Sequence, residues 1–396
     1  MVSRRRFLGY SAAALSAPLW AQAISAPFAS AAPETLKFVL RNDSGTTAHA
    51  YIAGFSDIEK KAVFIRPDGT KYFPEASGPV PQPLGEDPAI PVAGSVEVTV
   101  PRMYGARVYF VTDDKLTFQA VRGADGTTAV VHPNFVSDTD PNFGKDWTFA
   151  EFTLNSVQLY ANISYVDFVA APISLHLTAA SGDQHVPGMP TGGMDQVARG
   201  LREQGGSWSN LVQDSGGSVV RVLSPNHRAA DFAGYMEPYV DQVYAKYASE
   251  RLYIDTQRPD LGVLEGGVEG SELVFGAERF AKPSTADIWS CNGGPFANNP
   301  GSDSPERLAI VPRLAAAFNR STLLINPEQP HGEDPATFYQ HDVTNHYARV
   351  VHANLPDGKG YAFPYDDVSS NAGEDHSGKV NAGDPEVFTL TLGALR

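Results

Sequence analysis

The sequence is almost without cysteine. Cys291 is the only one among 396 residues, so no disulfide can form within the chain. Stability must therefore come from the hydrophobic core rather than from covalent cross-links. A lone cysteine can also be a catalytic thiol, but no base is identifiable beside Cys291, which favours a buried structural role.

Basic residues and long apolar runs are also scarce. The 30 lysines and arginines are outnumbered by 45 aspartates and glutamates, for a net charge of −15. Such a surface disfavours nucleic acid and anionic membranes as partners, whereas a neutral polysaccharide is compatible with it. No uninterrupted span of about 20 apolar residues is present to cross a membrane. The 36 glycines and 30 prolines are dispersed between apolar runs, which favours a turn-rich β protein.

The first residues have the features of an export signal. The segment Ser3–Leu8, S-R-R-R-F-L, fits the twin-arginine pattern, and an alanine-rich stretch follows it to Ile24. Ala29–Ala31 supplies small residues suited to cleavage. Residues 1–31 are therefore predicted to be a twin-arginine signal peptide, and the protein to be secreted by a bacterium. That route exports folded proteins, which agrees with the single cysteine.

The pattern beyond the leader is β-rich at both ends of the chain. Period-2 alternation and turn signals predict strands in the first part: Leu36–Arg41, Ala48–Ala53, Val63–Ile65, Ser95–Val100, Arg107–Val111, Leu116–Val121, Val130–Val131, Trp147–Asn155, Ile163–Val169 and Ile173–Leu177. The tail returns to β character at Tyr361–Ser370 and Glu386–Leu392. Strands at this spacing suggest a sandwich or flattened barrel.

The middle of the chain has a mixed pattern. Helices are predicted at Met194–Glu203, Ala230–Ser249, Ser304–Phe318 and Asp334–Ala353, and strands at Val219–Leu223, Leu252–Asp255 and Glu272–Phe275. The predicted fold class is thus a β-rich two-domain protein. Residues 32–178 plus 355–396 form a β domain built from both chain ends, and residues 179–354 form an inserted mixed α/β domain. The cleft between them is the expected ligand site.

Two acidic residues stand out within otherwise apolar strand patterns. Alternation puts Trp147, Phe149, Glu151, Thr153 and Asn155 on one face of their predicted strand. The next predicted strand places Tyr165 and Asp167 together on one face. Aromatic and hydrogen-bonding groups thus surround two carboxylates.

Paired carboxylates can hydrolyse a glycosidic bond, one as acid and one as base or nucleophile. Aromatic neighbours on the face of Glu151 would desolvate it and favour the protonated acid, leaving Asp167 as the ionised base. Both residues can equally be ordinary acids on exposed strand faces. The sequence does not fix their separation, because this depends on strand register.

Three segments resemble the thaumatin-like proteins. Residues 149–155, F-A-E-F-T-L-N, resemble the signature L-A-E-F-T-L-N, and residues 160–173, Y-A-N-I-S-Y-V-D-F-V-A-A-P-I, are similar to the segment Y-D-V-S-L-V-D-G-F-N-L-P-M. Residues 361–367, Y-A-F-P-Y-D-D, resemble the late stretch Y-S-Y-P-x-D-D, and Gly105–Tyr109 loosely resembles G-R-I-W. In that family the glutamate and the aspartate line an acidic cleft.

The chain departs from the plant thaumatin-like proteins, which are shorter and rich in disulfides. Its large insert and single cysteine point to the bacterial branch, glycoside hydrolase family 64. These β-1,3-glucanases are often described as laminaripentaose-producing. Residues 284–296, S-T-A-D-I-W-S-C-N-G-G-P-F, also resemble that family, and the resemblance extends over essentially the whole mature chain.

The resemblance implies an inverting endo-type attack on β-1,3-glucan, with Glu151 as general acid and Asp167 as general base. Thr153 and Asn155 fall on matching positions and are candidate sugar ligands. Further candidates for the substrate site are Trp147, Tyr165, Arg107, Asp366 and Asp367. Trp147 can stack on a sugar ring or belong to the core. The two late aspartates can bind hydroxyls or close a turn.

The expected partner is β-1,3-glucan, as in laminarin, curdlan or fungal wall glucan, and the product is expected to be a short oligosaccharide, in particular the pentaose. No metal and no cofactor is expected, because His341, His346 and His352 lack the spacing of a zinc protease motif. A monomer is expected. The alternative is a non-catalytic protein that binds β-1,3-glucan on the same scaffold.

Overall fold

The structure is a computed structural model that describes residues 31–370 and 377–396. The predicted signal peptide lies outside these residues, apart from Ala31. The strands of the first half are β1 Thr35–Asn42, β2 Ala48–Ser56, β3 Ala62–Ile65, β4 Lys71–Tyr72, β5 Gln82–Pro83, β6 Ile90–Pro91, β7 Ser95–Pro101, β8 Met103–Thr112, β9 Gln119–Arg122, β10 Thr128–Val131, β11 Trp147–Leu154, β12 Leu159–Asn162, β13 Phe168–Val169, β14 Ile173–Ala179 and β15 Gln184–Val186.

The rest of the described chain alternates helices and short strands. The later strands are β16 Val212–Ser215, β17 Ser218–Leu223, β18 Leu252–Asp255, β19 Val263–Glu269, β20 Glu272–Phe275, β21 Glu278–Phe280, β22 Glu328–Gln329, β23 Lys379–Ala382 and β24 Pro385–Leu392. The helices are α1 Gly193–Gln204, α2 Glu237–Tyr247, α3 Thr285–Ser290, α4 Pro305–Arg320 and α5 His346–Ala353. Short 3₁₀ helices lie at Gly206–Leu211, Pro225–Phe232, Gly294–Phe296 and Pro335–Thr337.

Both ends of the chain meet in one sheet. In the order β15-β14-β24-β1-β7, the last strand β24 pairs in parallel with the first strand β1. A second sheet runs β23-β12-β11-β8-β2-β3-β4, with β6 paired to β2. The two sheets share a core, in which the ring of Phe38 packs edge-on against Phe152 and Phe388, 5.0 and 5.1 Å away between centroids. Alternating apolar residues drive this packing.

The second sheet has an outer face that is only partly covered. Tyr109, Trp147 and Phe149 on this face are buried under Phe118 and Phe168 from neighbouring segments. Further along the same strands the cover ends. The side chains of this open half are partly exposed: Phe55, Tyr104, Arg107, Glu151 and Thr153. The edge of the aromatic cover therefore coincides with Glu151.

The middle of the chain forms two smaller sheets packed with helices, β13-β17-β16 and β21-β20-β19-β18-β22. The predicted helices at Met194–Glu203 and Ser304–Phe318 are confirmed as α1 and α4. Ser304 caps α4 by accepting a hydrogen bond from the backbone N–H of Arg307 at 2.9 Å. The β-rich architecture with several sheets is as predicted, whereas the division into two domains stays a prediction.

Two of the predicted helices are shorter than expected. Where the sequence predicts a helix over Ala230–Ser249, a 3₁₀ helix ends at Phe232 and α2 begins only at Glu237. Gly234 between them has φ +81°, which no helix accommodates. The predicted helix Asp334–Ala353 is likewise interrupted at Tyr339, where φ is +60°, and α5 covers only its second half.

The predicted strand Ile163–Val169 is confirmed only at its last two residues, as β13, and the predicted strand Tyr361–Ser370 is wrong. The two segments meet in a single bridge between Ser164 and Tyr361, and no ladder extends from it within the described residues. The backbone N–H of Tyr165 donates to the carbonyl of Tyr361 at 2.7 Å. The carbonyl of Tyr165 accepts instead from the hydroxyl of Tyr347 at 2.6 Å. Because these backbone groups bond to distant segments, the chain leaves the sheet after β12.

Candidate active site

Glu151 and Arg107 are direct neighbours across two strands. In the antiparallel pair β11–β8 the two residues lie opposite each other, and Ala53 of β2 lies opposite Arg107 on its other side. Directly opposed residues point to the same face of a sheet. Strand register thus brings an acid and a guanidinium together at the edge of the aromatic cover.

Arg107 binds one oxygen of Glu151 with two hydrogen bonds. Its Nε and Nη2 donate to Oε1 at 3.1 and 2.9 Å. The guanidinium is 15% exposed and the carboxylate 31% exposed. Within the described part of the chain, Oε2 of Glu151 accepts no hydrogen bond, so this oxygen is the one left for a ligand.

Asp167 reaches the same guanidinium from the segment between β12 and β13. Its Oδ2 lies 3.7 Å from Nη2 of Arg107, and its Oδ1 accepts a hydrogen bond from Nε2 of His227 at 2.9 Å. Burial alone would raise the pKa of Asp167, but the hydrogen bond from His227 and the charge of Arg107 outweigh it and lower the pKa. Asp167 is therefore ionised at neutral pH.

His227 was not identified from the sequence. It lies in the 3₁₀ helix that follows β17, and Ser224 before that helix donates its backbone N–H to the carbonyl of Asp167 at 2.9 Å. The imidazole packs edge-on against Phe135, 4.7 Å away between centroids. No motif marks this residue, because it is 60 positions from Asp167 and only the fold joins them.

The surroundings of Arg107 are aromatic and otherwise uncharged. Its guanidinium lies over the ring of Phe149 at 4.2 Å. The hydroxyl of Tyr109 bonds to Nδ1 of His132 at 2.9 Å. Burial, together with the charge of Arg107, lowers the pKa of His132 to about 3, so this imidazole is neutral. Arg107 lies within 4 Å of both carboxylates, at 2.9 Å from Glu151 and 3.7 Å from Asp167.

The shared guanidinium limits the distance between the acids. Oε1 of Glu151 and Oδ2 of Asp167 lie 2.9 and 3.7 Å from the same Nη2 atom, so they are at most about 6.6 Å apart, the two distances taken end to end. Two carboxylates at this range, one of them ionised, can act on a single glycosidic bond. Arg107, predicted as a substrate ligand, is brought into direct contact with both.

Thr153 and Asn155 have different environments. Thr153 follows Glu151 on the open half of the outer face and is half-buried. The side-chain oxygen of Asn155 accepts hydrogen bonds from the backbone N–H groups of Val157 and Gln158 at 2.8 and 2.9 Å. That oxygen closes the turn after β11, which leaves the amide nitrogen of Asn155 as its free polar group for a ligand.

Trp147 and Tyr165 do not face the open site. Trp147 is on the predicted face but only 1% exposed, and its Nε1 donates to the carbonyl of Asn142 at 3.1 Å. Tyr165 is 5% exposed, and its hydroxyl accepts a hydrogen bond from the backbone N–H of Met189 at 2.9 Å. The expectation that Tyr165 shares a face with Asp167 is wrong, since the chain between them is not a strand. Neither ring can stack on a sugar in this structure.

Asp366 and Asp367 are also buried. Asp366 accepts hydrogen bonds from Nε2 of His352 at 2.8 Å and from Arg320 at 3.2 Å. Burial raises the pKa of Asp367 to about 7, although the charge of Lys379 opposes the shift. Asp366 thus anchors the turn that contains it, which is the structural role left open by the sequence. In this structure neither carboxylate is open to solvent.

The lone cysteine and the possible metal ligands were two further candidates for chemistry. Cys291 is buried, as expected, and burial raises the pKa of its thiol. In residues 31–370 and 377–396 there is no group of three potential metal ligands. No helix in the same ranges is long and apolar enough to span a membrane.

Comparisons with known proteins agree on one family. A family model described as β-1,3-glucanase matches residues 34–392. A glucan endo-1,3-β-glucosidase of Cellulosimicrobium cellulans is 32% identical, over 98% of this chain and 70% of the relative. A crystal structure of a laminaripentaose-producing β-1,3-glucanase with laminaritetraose is 32% identical, with a TM-score of 0.82 over 92% of this chain and 100% of that chain. A β-1,3-glucanase domain from Clostridium beijerinckii, 23% identical, shares the fold with a TM-score of 0.73 over 91% of this chain and 98% of that chain.

Proposed function

Since the chain belongs to the β-1,3-glucanase family of glycoside hydrolases, we propose that Glu151 and Asp167 are the carboxylates with which it cuts the polymer. The family that the segments around these two acids indicate is confirmed, and the chain is an endo-1,3-β-glucanase. The observation that supports the site best is the Arg107 guanidinium shared by two carboxylates at the edge of an open sheet face.

The contacts support Asp167 as the base, and the family resemblance assigns Glu151 as the acid. Asp167 is ionised, and with Oδ1 held by His227 it can accept a proton from water through Oδ2, as a general base. Glu151 is held by Arg107 through Oε1, and its Oε2 can protonate the glycosidic oxygen as a general acid. Thr153 and the amide nitrogen of Asn155 are proposed to bind sugar hydroxyls beside them.

We propose that the reaction inverts the anomeric centre, as the resemblance to family 64 implies. Inversion places a water molecule between base and sugar and uses carboxyl groups about 6.5–9.5 Å apart. The upper limit of about 6.6 Å between Oε1 and Oδ2 keeps these two oxygens at or below the start of that range, so the resemblance and not this distance supports inversion. NMR of the first product tests the proposal: an α-anomer supports inversion, and a β-anomer contradicts it.

The finer features of the function are proposals as well. We propose a thaumatin-like β domain with an inserted α/β domain, acting as a monomer on laminarin, curdlan or fungal wall glucan. The similarity to a laminaripentaose-producing β-1,3-glucanase of known structure supports the pentaose as the main product. The twin-arginine pattern supports secretion from a bacterial cell.

Laminarin digestion followed by product sizing tests the function. Glu151→Gln and Asp167→Asn should each lower kcat by about 10²–10⁴-fold while the fold is retained. Full activity in either variant contradicts the assignment of that residue as a catalytic acid or base. Retention on insoluble glucan without release of soluble sugar by the native protein would favour the non-catalytic alternative.

A further inference from the structure

His227 takes no direct part in the proposed proton transfers, yet it holds the proposed base. Its Nε2 lies 2.9 Å from Oδ1 of Asp167, and both side chains are largely buried, with exposures of 23% and 24%. The opposite oxygen faces Arg107 at 3.7 Å. A carboxylate bound at one oxygen by a fixed donor has a defined direction for its other oxygen.

The imidazole is itself held in place. Phe135 packs edge-on against it at 4.7 Å and in turn contacts Phe168 at 4.8 Å. The backbone N–H of Ser224 also donates a hydrogen bond to the carbonyl of Asp167 at 2.9 Å, which links the two segments. Asp167 is thus attached to the segment of His227 by two hydrogen bonds, one from the imidazole and one from the backbone.

We propose that His227 is a positioning residue that directs Oδ2 of Asp167 toward the attacking water. The inference rests on the proposed role of Asp167. The groups that face Asp167 from the elements around it are Arg107 and Tyr109 of β8, His227, and Tyr347 of α5, with Glu151 beyond Arg107. His227 is the only one of these that donates a hydrogen bond to Asp167 among the described residues.

Two variants separate the hydrogen bond from packing. His227→Phe keeps a ring against Phe135 but removes the donor, whereas His227→Gln keeps a donor of similar reach. We expect kcat/KM on laminarin to fall about 100-fold in His227→Phe, the size of a 1 Å misplacement. Its acidic limb should move to higher pH, because loss of the hydrogen bond raises the pKa of Asp167. His227→Gln should stay much closer to the native profile.

His185→Ala, an exposed histidine on β15, is the matched control and should leave the profile unchanged. The inference is overturned if the acidic limb of His227→Phe stays in place, even when its activity falls, or if His227→Gln behaves like His227→Phe. Asp167→Asn is measured in parallel. Full activity in that variant shows that the proposed base is wrong, which is a separate failure from that of His227.

A second inference rests on an aromatic pair elsewhere on the same face. Phe55 of β2 lies opposite Tyr104 of β8, with ring centroids 5.5 Å apart and an angle of 18° between the rings. A bulge at Gly105, with φ +51°, turns Tyr104 to the outer face, while its neighbour Met103 enters the core. Both rings are half-exposed.

The pair continues the open half of the outer face away from the two acids. Phe55 is two residues beyond Ala53, which lies opposite Arg107. The turns at this end of the sheet expose two more apolar residues, Ile58 at 77% and Val157 at 55%. Apolar groups gathered at one exposed edge usually mark a binding surface.

We infer that a β-1,3-glucan chain bound at Glu151 extends onto Phe55 and Tyr104. The apolar faces of sugar rings pack well on aromatic side chains. Tyr104 and Arg107 are three positions apart on β8, about 10 Å along a strand. The pair therefore contacts only those sugars that lie beyond the bond being cut. This inference also rests on the proposed catalytic site.

The test compares a short and a long oligosaccharide by calorimetry. In a Glu151→Gln background, Phe55→Leu with Tyr104→Leu should weaken laminarihexaose binding about tenfold and leave laminaritriose almost unchanged. Tyr104→Leu alone repeats the test with a smaller change to the surface. Tyr104→Phe keeps the ring and should bind like the parent, and Val263→Ala, an exposed apolar residue on β19, is the remote control.

Two results overturn the second inference: unchanged hexaose binding, or an equal loss for triose and hexaose. The proposed function fails differently, since the native protein would then release no sugar from laminarin. Length-dependent loss in the leucine variants, with rescue by phenylalanine, supports the aromatic pair as a glucan-binding surface.

Discussion

Arg107 contacts both acids of the site: its Nη2 atom lies 2.9 Å from Glu151 and 3.7 Å from Asp167. A cation between two carboxylates lets both approach one substrate bond without mutual repulsion. In the sequence, the residue belongs only to a loose resemblance at Gly105–Tyr109. In the structure it is central to the site.

Arg107→Gln removes this cation while keeping a polar side chain of moderate length. We expect kcat/KM on laminarin to fall about 10- to 100-fold. The acidic limb of the pH profile should move upward, because the charge of Arg107 is one of the causes that lower the pKa of Asp167. Arg41→Gln, at an exposed pair with Asp43, is the control. A native profile in Arg107→Gln would contradict the proposed role.

Trp147→Phe should affect stability and not substrate binding. The indole is 1% exposed and packs edge-on against Phe168 at 5.0 Å, so a smaller ring leaves a void. We expect a loss of about 1–3 kcal/mol in the free energy of unfolding by urea. The KM for laminarin should stay within about twofold. A much higher KM with unchanged stability would restore Trp147 as a sugar ligand.

Asp366→Asn should destabilise the protein strongly. Asp366 and Arg320 are both 1% exposed in their side chains and lie 3.2 Å apart. Without the carboxylate, the buried guanidinium loses its closer charge partner and keeps Glu333 at 3.7 Å, which costs about 3–5 kcal/mol. Urea unfolding at neutral pH measures the effect. Asp43→Asn, an exposed acid, should change stability by less than about 0.5 kcal/mol, and a similarly small effect at Asp366 would contradict the prediction.

The pair His352–Asp366 should make stability depend on pH. Burial opposes both charges, but the partners outweigh it: the net effect lowers the pKa of Asp366 and raises that of His352. The aspartate contributes above its unfolded pKa of about 3.9 and loses this as pH falls through its folded pKa. The histidine contributes fully below about 6.5 and loses this as pH rises through its folded pKa.

His352→Gln isolates this contribution, since it removes the charge and keeps a polar group. The difference in unfolding free energy between native and variant should be largest between about pH 4 and 6.5 and shrink at higher pH. Thermal and urea unfolding of both proteins, at pH values within this range and above it, provide the measurement. A difference that is constant with pH would show that packing, not charge, explains the effect of the substitution.

Much of the β framework could be predicted from the sequence. Alternating apolar residues predicted β1, β11 and β14 close to their observed bounds, and parts of β2 and β8, because one face of each strand must be buried. The same alternation placed Glu151 and Thr153 on a common face. Ser304 marked the start of α4 through its cap. These features depend on local patterns of about ten residues.

The second carboxylate shows where local pattern failed. Tyr165 and Asp167 alternate as in a strand, yet the backbone of Tyr165 is hydrogen-bonded to the carbonyl of Tyr361 and the hydroxyl of Tyr347. The chain therefore leaves the sheet at this point. Tyr165 then enters the core while Asp167 turns to Arg107. The motif still predicts Asp167 as the second carboxylate, since family resemblance does not depend on the conformation assigned to that segment.

The sequence by itself determined the family, the strand that carries Glu151 and the face that Glu151 occupies. Tertiary structure decided what covers that face: Phe168 packs against Trp147, whereas Glu151 stays 31% exposed. It also brought Arg107 and His227 to the two acids. Arg107 is 44 residues from Glu151 and His227 is 60 residues from Asp167, separations that no local pattern encodes. Strand register and packing, not spacing in the chain, assemble the site.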